Sequence, residues 1–588
     1  MAEVVETDVL IIGAGPAGIV AATLLSDMGI KNIAISKYRS TSPGPRAHIT
    51  NQRAMEILRD LGLEEAAKDL ATPQSHMGEH AFSTSLVGEE FGRIRTWSTD
   101  IVRQAEHDLA SPCSYCDLPQ LYFEPLVTNA AGIRGSDVRF RTEYLSHTQD
   151  ADGVSAQLLD RVTGVEFTVR AKYLIGADGA RSQVAEDAGL PFEGELGKGA
   201  AAALNIEFTA DLSSLTDHRR GDMFWMIQPG GIGLNGTGIS VLRMVRPWNK
   251  WVCTAGYDLS KGELNISNDE ARAVVQKVIG SDQFPIQIDA TSTWEFNQQF
   301  AQNNTNGRVF CMGDAVHRHT PMGGLGLNTS VQDAYNLCWK LAMVVKEQAG
   351  PSLLATYDVE RTPVGEEVVN HAYMCLSKLP PMFMAMGLPP AHSDEMAQSA
   401  MARYKSATPE GEAARAQMRA AMNGTLAGFG GAHGLELNQR YESQAVYPDG
   451  TADPGFDRDR VYHHQATSRP GAHVPHVWLT RNQRRVSTLD LCGKGKFTLL
   501  TGIAGEPWVK VAQDAAQKLG IDLEVQVIGP GQTYVDTYGD WAEAREVEED
   551  GAILVRPDMF VAWRSNDAAQ TQLDGFLPAL KTILGRDG

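Results

Sequence analysis

Three glycines introduce the chemistry of this sequence: Gly13-x-Gly15-x-x-Gly18, with Pro16 and Ala17 between the last two, behind the apolar run Asp8-Val9-Leu10-Ile11-Ile12. Glycines at that spacing allow a tight turn, close approach of a pyrophosphate and close helix–strand packing, while the following helix N-terminus attracts the anion. The chemistry they suit is dinucleotide binding. An acidic residue for the adenosine ribose belongs at the end of the next strand, but Ser36 stands there, followed by Lys37, Tyr38 and Arg39. The basic residues suit the 2′-phosphate of NADP and Ser36 suits a ribose of FAD, so this position leaves both open. Cys113-x-x-Cys116 has the spacing of a redox or zinc pair, yet zinc takes four ligands and no second pair lies at suitable spacing. No metal is expected.

The scaffold for these residues is legible in outline. The run Asp8–Ile12, a helix to about Met28 closed by Gly29, and the run Asn32–Ser36 form a βαβ unit opening a doubly wound sheet. Tyr173–Gly176 and Arg308–Met312 resume the buried-strand pattern far downstream. Between them, alternating segments over Val138–Val169 with a turn at Asp150–Gly153 predict an antiparallel excursion. The stretch 185–300 is strand-rich, as at Met223–Gln228 and Gly238–Val245, and predicts a second sheet. One helix is expected at Gln52–Leu61; another begins near Asn328, with Val331, Ala334, Cys338, Leu341 and Val345 on one face. Residues 365–440 are expected to be helical, broken at Pro380-Pro381 and Pro389-Pro390. Strands at Lys496–Thr501, Leu523–Ile528 and Ile553–Val555, with a helix at Glu506–Leu519, predict a separate C-terminal α/β domain.

Acidic residues outnumber basic ones by 72 to 52, which argues against a nucleic-acid partner. Seven cysteines are too few for a disulfide scaffold and fit a reducing cytosol. The uncharged stretch Val9–Leu25 imitates a signal peptide, but Glu3, Glu6 and Asp8 precede it and glycines interrupt it. No other segment approaches the ~20 apolar residues of a membrane span. A cytoplasmic protein without a membrane partner is expected.

Ile175-Gly176-Ala177-Asp178-Gly179-Ala180-Arg181-Ser182 and Gly313-Asp314-Ala315-Val316-His317 resemble the paired DG and GD motifs of flavin-dependent aromatic hydroxylases, in that family's order. The segments Pro45–Arg53, Gly88–Arg93 and Met244–Trp251 are similar to the bacterial phenol hydroxylases of this class, and the similarity runs nearly the full length. It includes a tail, around Val555-Arg556-Pro557-Asp558 and Trp563-Arg564, that resembles their thioredoxin-like C-terminal domain but lacks Cys-x-x-Cys.

The resemblance implies an α/β fold: a Rossmann-like FAD-binding domain (1–184 and 301–375), an inserted β-sheet substrate domain (185–300), a helical linking region (376–454) and a thioredoxin-like domain (455–588). It implies FAD as cofactor and NADPH, or NADH, as the visiting reductant. Oxygen would be transferred to a phenol, chlorinated or otherwise substituted, through a flavin C4a-hydroperoxide, giving a catechol. FAD would contact Gly13, Gly15, Pro16, Ala17, Gly18, Ser36, Lys37, Arg46, Gln120, Asp178, Gly179, Gly313 and Asp314. The loop Pro321, Gly324, Leu325, Gly326, Leu327, Asn328 would wrap the isoalloxazine, its helix N-terminus facing the locus where charge gathers on reduction. His48 and Asp117 would face the phenolic hydroxyl, and Trp225 and Arg243 would line the pocket. His317, after the GD motif, reads as structural or flavin-proximal. A homodimer or higher homo-oligomer is expected, and the tail is expected to be dispensable for the redox chemistry. The alternatives are another flavoenzyme of the same fold, such as a halogenase or reductase, and a non-catalytic FAD-bearing sensor or assembly protein.

Overall fold

The computed structural model describes residues 4–197, 201–219, 221–227, 239–262, 264–387 and 393–586. Its first sheet has eight strands, and its main path runs Thr305–Asn306, Val309–Cys311, Glu166–Gly176, Val4–Ile12, Asn32–Ser36, Asp137–Phe140. Val4–Ile12 lies between Asn32–Ser36 and Glu166–Gly176, parallel to both, and Val309–Cys311 runs parallel to Glu166–Gly176. Strands buried on both faces carry continuous apolar runs, and Val9, Leu10, Ile11, Leu174, Ile175 and Val309 are fully buried here. The antiparallel excursion is the hairpin of Thr142–Gln149 with Val154–Asp160, which pairs onto Glu166–Gly176.

A second sheet of seven strands runs Gln287–Glu295, Ala201–Thr209, Lys250–Asp258, Ile239–Arg246, Met223–Ile227, Glu79–Ser83, Glu90–Arg95. Side chains alternate between its faces. Phe224 and Met226 join Phe208, Leu242 and Trp251 on one face, covered by helix Asn268–Ile279 through Ala271, Val275 and Ile279. Met223, Trp225 and Ile227 join Phe82 on the other, against Met322, Met382, Met386, Met418 and Met422. Two strands of this sheet, Glu79–Ser83 and Glu90–Arg95, come from a polar stretch in which the sequence signals no strand. The linking region is helical at Pro380–Met386, Asp394–Lys405 and Pro409–Phe429. Pro389-Pro390, and the strand ends at Gln228 and Gly238, lie outside the described residues.

The C-terminal sheet runs Leu523–Val527, Phe497–Thr501, Ala552–Val555, Val561–Ser565, with the first pair parallel and the others antiparallel, and helices Glu506–Leu519 and Gln570–Ile583. That order is thioredoxin-like. The tail is not loosely attached. Ile528, Trp541, Ile553 and Val555 belong to the same apolar cluster as Tyr335, Leu337 and Leu341. Arg556, fully buried, donates to both oxygens of Glu360 at 2.6 and 2.9 Å, and Lys340 donates to the same carboxylate at 2.7 Å. Burial alone would raise the Glu360 carboxyl, but Arg556 and Lys340 outweigh it and hold it below the usual range. Arg53 reaches across to the Asp558 carbonyl at 2.7 Å.

Candidate active site

The fingerprint loop is tight where packing requires it and open where a ligand would come. Gly13 has φ 106°, and a Cβ there would lie 2.1 Å from the Ala177 carbonyl oxygen; one at Gly18 would lie 1.9 Å from that of Gly13. A Cβ at Gly15 would meet nothing within 4 Å. Helix Pro16–Asp27 starts at Gly15 with Pro16 in its first turn, no acidic residue there and no side chain capping its amides. An open concavity over free amides fits a pyrophosphate. The Ala17 side chain, by contrast, is packed in the core. Ser36 is half-buried and Lys37 exposed at the end of the neighbouring strand.

Gly313 is held from behind. Its amide donates to Asp333 at 3.0 Å, and the same carboxylate pairs with His317 at 2.8 Å and Arg361 at 2.8 Å. Burial would raise the Asp333 carboxyl, but Arg361 and His317 outweigh it and keep it below the usual range. His317 is therefore structural. Asp314 is exposed, and its carboxylate accepts no hydrogen bond among the described residues. A free carboxylate beside a glycine-rich loop fits a ligand's hydroxyls. Gly179 likewise opens onto empty space, whereas Asp178 is occupied in capping the helix Gln183–Asp187, accepting from Ser182 at 2.5 Å and the Gln183 amide at 2.9 Å.

The loop after Asp314 ends in helix Gly326–Val345, two residues earlier than expected. Pro321 is exposed, Gly324 and Gly326 are half-buried, and Leu325 and Leu327 turn into the core, so only their backbone can face a flavin. The Asn328 side chain is committed to protein: it accepts from the Asn51 amide at 2.9 Å and donates to the Ile49 carbonyl at 2.9 Å. A Cβ at Gly324 would touch both Ile49 and Trp97 at 3.5 Å. These contacts set the glycine loop directly against the segment that follows His48.

Ile49–Thr50 pairs with Cys116–Asp117, Ile49 opposite Asp117. That short bridge brings His48 Nδ1 to 3.1 Å from Asp117 Oδ1, both residues buried. Gln120 closes the same corner: its amide donates to the Ala47 carbonyl at 2.8 Å, and its side chain donates to Glu124 at 2.6 Å. Arg46 is exposed on this rim. From the second sheet, His80, Met223 and Arg243 stand in cross-strand register, as do Phe82, Trp225 and Val241. The Arg243 guanidinium donates to the Arg46 carbonyl at 2.9 Å and to that of Pro45, clamping the sheet onto the His48 segment. Trp225 Nε1 lies 3.5 Å from His80.

Sequence reasoning missed three residues of this cluster. Asp222, just ahead of Met223, brings a carboxylate oxygen that lies, with His48 and Asp117, within a 4.8 Å set of mutually close polar atoms. His80 is fully buried, and burial and then His48 push it down to about 3. Trp97 is set edge-on to His48 at 6.4 Å and His80 at 6.0 Å. Its backbone is left-handed (φ 52°), which costs a large side chain about 1–2 kcal/mol. None sits in a local motif; each is recruited by pairing between distant segments. Burial, and then Arg243, lower His48, so its imidazole is neutral and able to take a proton. Buried polar atoms of Thr50, Thr72, Thr96, Trp97, Asp117, Asp222 and Arg243 lack partners among the described residues. Of these, the oxygens of Asp117 and Asp222 gather with His48 at one point, which marks where a polar ligand fits. The two cysteines contribute nothing here: Cys113 and Cys116 are free, and burial raises both thiols.

A Rossmann-like nucleotide cradle abutting a buried His–Asp pair defines a flavoprotein of the aromatic-hydroxylase class. Residues 6–372 match the FAD binding domain family, and residues 467–587 match the family of aromatic-ring hydroxylase C-terminal domains. The chain belongs to the FAD-dependent aromatic-ring hydroxylases. It is 52% identical over 583 residues to a 2,4-dichlorophenol 6-monooxygenase of Delftia acidovorans, covering 99% of each chain. It is 46% identical over 562 residues to a phenol 2-monooxygenase of a Pseudomonas species, covering 96% of this chain and 90% of the other. The solved structure of the flavin-dependent monooxygenase PieE with FAD and substrate superposes with a TM-score of 0.94 at 40% identity, covering 99% of both chains.

Proposed function

We propose that the protein is an NAD(P)H- and FAD-dependent monooxygenase that hydroxylates a phenol ortho to its hydroxyl group. A phenol, dioxygen, NAD(P)H and a proton give a catechol, NAD(P)⁺ and water. Bound FAD supplies electron transfer and oxygen activation; the residues described above hold it and prepare the ring. The observation that carries the reading is the juxtaposition of the glycine loop with His48 and Asp117, made by Asn328 and Gly324.

The cradle of Gly13, Gly15 and Gly18 holds the pyrophosphate, Ser36 and Lys37 the adenosine end, and Asp314 the hydroxylated chain. Gly179, Gln120 and Arg46 flank the cofactor. A phenol placed at the cluster gives its proton to His48 Nε2, because Nδ1 faces Asp117 at 3.1 Å and the carboxylate stabilises the imidazolium. Removing that proton makes the ortho carbon more nucleophilic, help worth about 10²–10⁴-fold. Trp225, Phe82, Met223 and Met322 offer an apolar wall for ring substituents, and Arg243 holds the two sides of the pocket together. The names of the relatives support a phenol, chlorinated ones included.

The proposal includes a cytoplasmic homodimer or larger homo-oligomer, read by light scattering; seven buried cysteines, none in a disulfide among the described residues, support a reducing compartment. No helix among the described residues is long and apolar enough to cross a membrane. The test is NADPH and NADH oxidation with and without phenol and chlorophenols, with products identified by mass. Stimulated oxidation with catechol formation is expected. Unstimulated oxidation, or none, overturns the proposal.

A further inference from the structure

The chemistry just proposed leaves Asp222 without a task. The residue is 0% exposed, and its backbone oxygen accepts from the Met244 amide at 2.9 Å, which fixes it at the head of strand Met223–Ile227. Neither carboxylate oxygen has a side-chain hydrogen-bond partner among the described residues, and only the backbone amides of Gly78 and of Asp222 itself are turned towards them. The groups that face it are His80 from strand Glu79–Ser83, Asp117 from Cys116–Asp117, His48 from the segment ahead of Ile49, and Arg243 from Ile239–Arg246. His80 Nε2 is 3.9 Å away, beyond hydrogen-bonding distance. The two carbonyls of Pro45 and Arg46 take the hydrogen bonds of Arg243. Two carboxylates buried this close cannot both keep their charge, so one proton stays in the pair. Asp117 has the His48 imidazole to donate to it, whereas Asp222 is faced only by the backbone amides of Gly78 and of its own residue, whose effect burial outweighs. The proton therefore resides on Asp222, and burial, with the Asp117 charge adding to it, pushes that carboxyl up to about 8.

We propose, resting on the phenol-hydroxylase reading above, that Asp222 is a further substrate-contacting residue whose carboxylic acid donates a hydrogen bond to the phenolic oxygen while His48 takes the phenolic proton. The phenolic O–H bond breaks, its electron pair stays on oxygen and the proton goes to His48 Nε2. Asp222 keeps its own proton throughout. A neutral acid in a dry site is a strong donor to a developing oxyanion, because no water competes for the hydrogen bond.

The test compares Asp222→Ala and Asp222→Asn with wild type as holoenzymes, using 4-nitrophenol as a chromophoric ligand whose ionised form absorbs visible light. Its apparent pKa when bound is read alongside the catechol formed per NADPH oxidised. Asp222→Ala is expected to reduce ionisation of the bound nitrophenol about ten- to hundredfold, the loss of one hydrogen bond to a charged group. Asp222→Asn keeps a donor and is expected to recover most of that ionisation. Wild-type hydroxylation should fall as pH passes about 8, where Asp222 loses its proton, and this alkaline limb should vanish in Asp222→Asn. Wild-type ionisation in Asp222→Ala overturns the inference; so does an Asp222→Asn enzyme that retains the alkaline limb. Should Asp222→Ala fail to fold, the Asp222→Asn pH profile decides alone. If wild-type enzyme hydroxylates no phenol, the parent reading fails, while the nitrophenol titration still reports whether Asp222 donates.

Discussion

Replacing Asp117 by Asn removes one charge from the acid–base pair while keeping its shape. When His48 accepts the phenolic proton, an imidazolium forms with its Nδ1 3.1 Å from the Asp117 carboxylate. Opposite charges about 3 Å apart attract by about 5 kcal/mol at an effective dielectric of about 20. Arg243 shares the same carboxylate and opposes a cation on His48, so that figure is a ceiling. A loss of about 2.7 kcal/mol, a hundredfold in rate, lies beneath it and within the general-base range. Asp117→Asn should therefore slow catechol formation about a hundredfold. FAD should stay bound, because Asp117 touches none of the cradle residues. The reducing equivalents should be diverted to hydrogen peroxide, since electron delivery to flavin does not depend on the phenolic proton. The assay is a coupling ratio, catechol and peroxide formed per NADPH consumed, with flavin content and melting temperature as controls. Wild-type rate and coupling in a folded, flavin-loaded variant would refute the proton-acceptor role.

Gly15→Ala should leave the apoprotein's melting temperature unchanged yet weaken FAD binding markedly, because its Cβ meets no protein atom and fills the pyrophosphate seat; Gly13→Ala, 2.1 Å from a carbonyl, should instead fail to fold. Fluorescence titration of FAD and calorimetry separate the two. Glu360→Ala strands Arg556 and Lys340 in the core and should destabilise by about 3–5 kcal/mol, measured by chemical denaturation. Removing the tail should yield aggregated protein, because the core formed with Leu337 and Leu341 would be laid open; any soluble fraction, read by flavin spectrum and phenol-stimulated NADPH oxidation, checks whether the tail is dispensable for the redox chemistry. In acid, burial holds His464 to about 3 and His107 and His476 to about 4, so they stay neutral when folded but bind protons when unfolded. Their stabilisation is complete above about 6.5 and is lost as pH falls through those values, so melting temperatures should drop across that window.

What the sequence disclosed follows the range of the interactions. Gly13, Gly15 and Gly18 act within one turn, so their spacing, set between a strand and a helix, points to a dinucleotide cradle, and the apolar runs around Val9 and Ile33 disclose parallel strands because both faces are buried. His48 and Asp117 are 69 residues apart, and only resemblance to the family joined them. Asp222 and His80 stayed hidden, since a lone acid and a lone histidine carry no pattern until Met223 pairs with His80. Strand Glu79–Ser83 escaped for the same reason: it is almost wholly buried yet carries His80 and Ser83, which erase the apolar run. The tail's attachment was equally out of reach. Arg556 meets Glu360 across 196 residues, and neither shows in the sequence that it is buried.

The central claim is that this chain inserts one oxygen atom from dioxygen ortho to a phenolic hydroxyl. Turnover of a phenol with NADPH under isotopically labelled dioxygen, followed by mass spectrometry and regiochemical assignment of the product, tests it most directly. The account predicts a catechol carrying one labelled atom, in the new hydroxyl, in near proportion to NADPH consumed. A product labelled from water instead, a hydroxyl placed away from the ortho carbon, or peroxide as the sole product of phenol-stimulated turnover would contradict it.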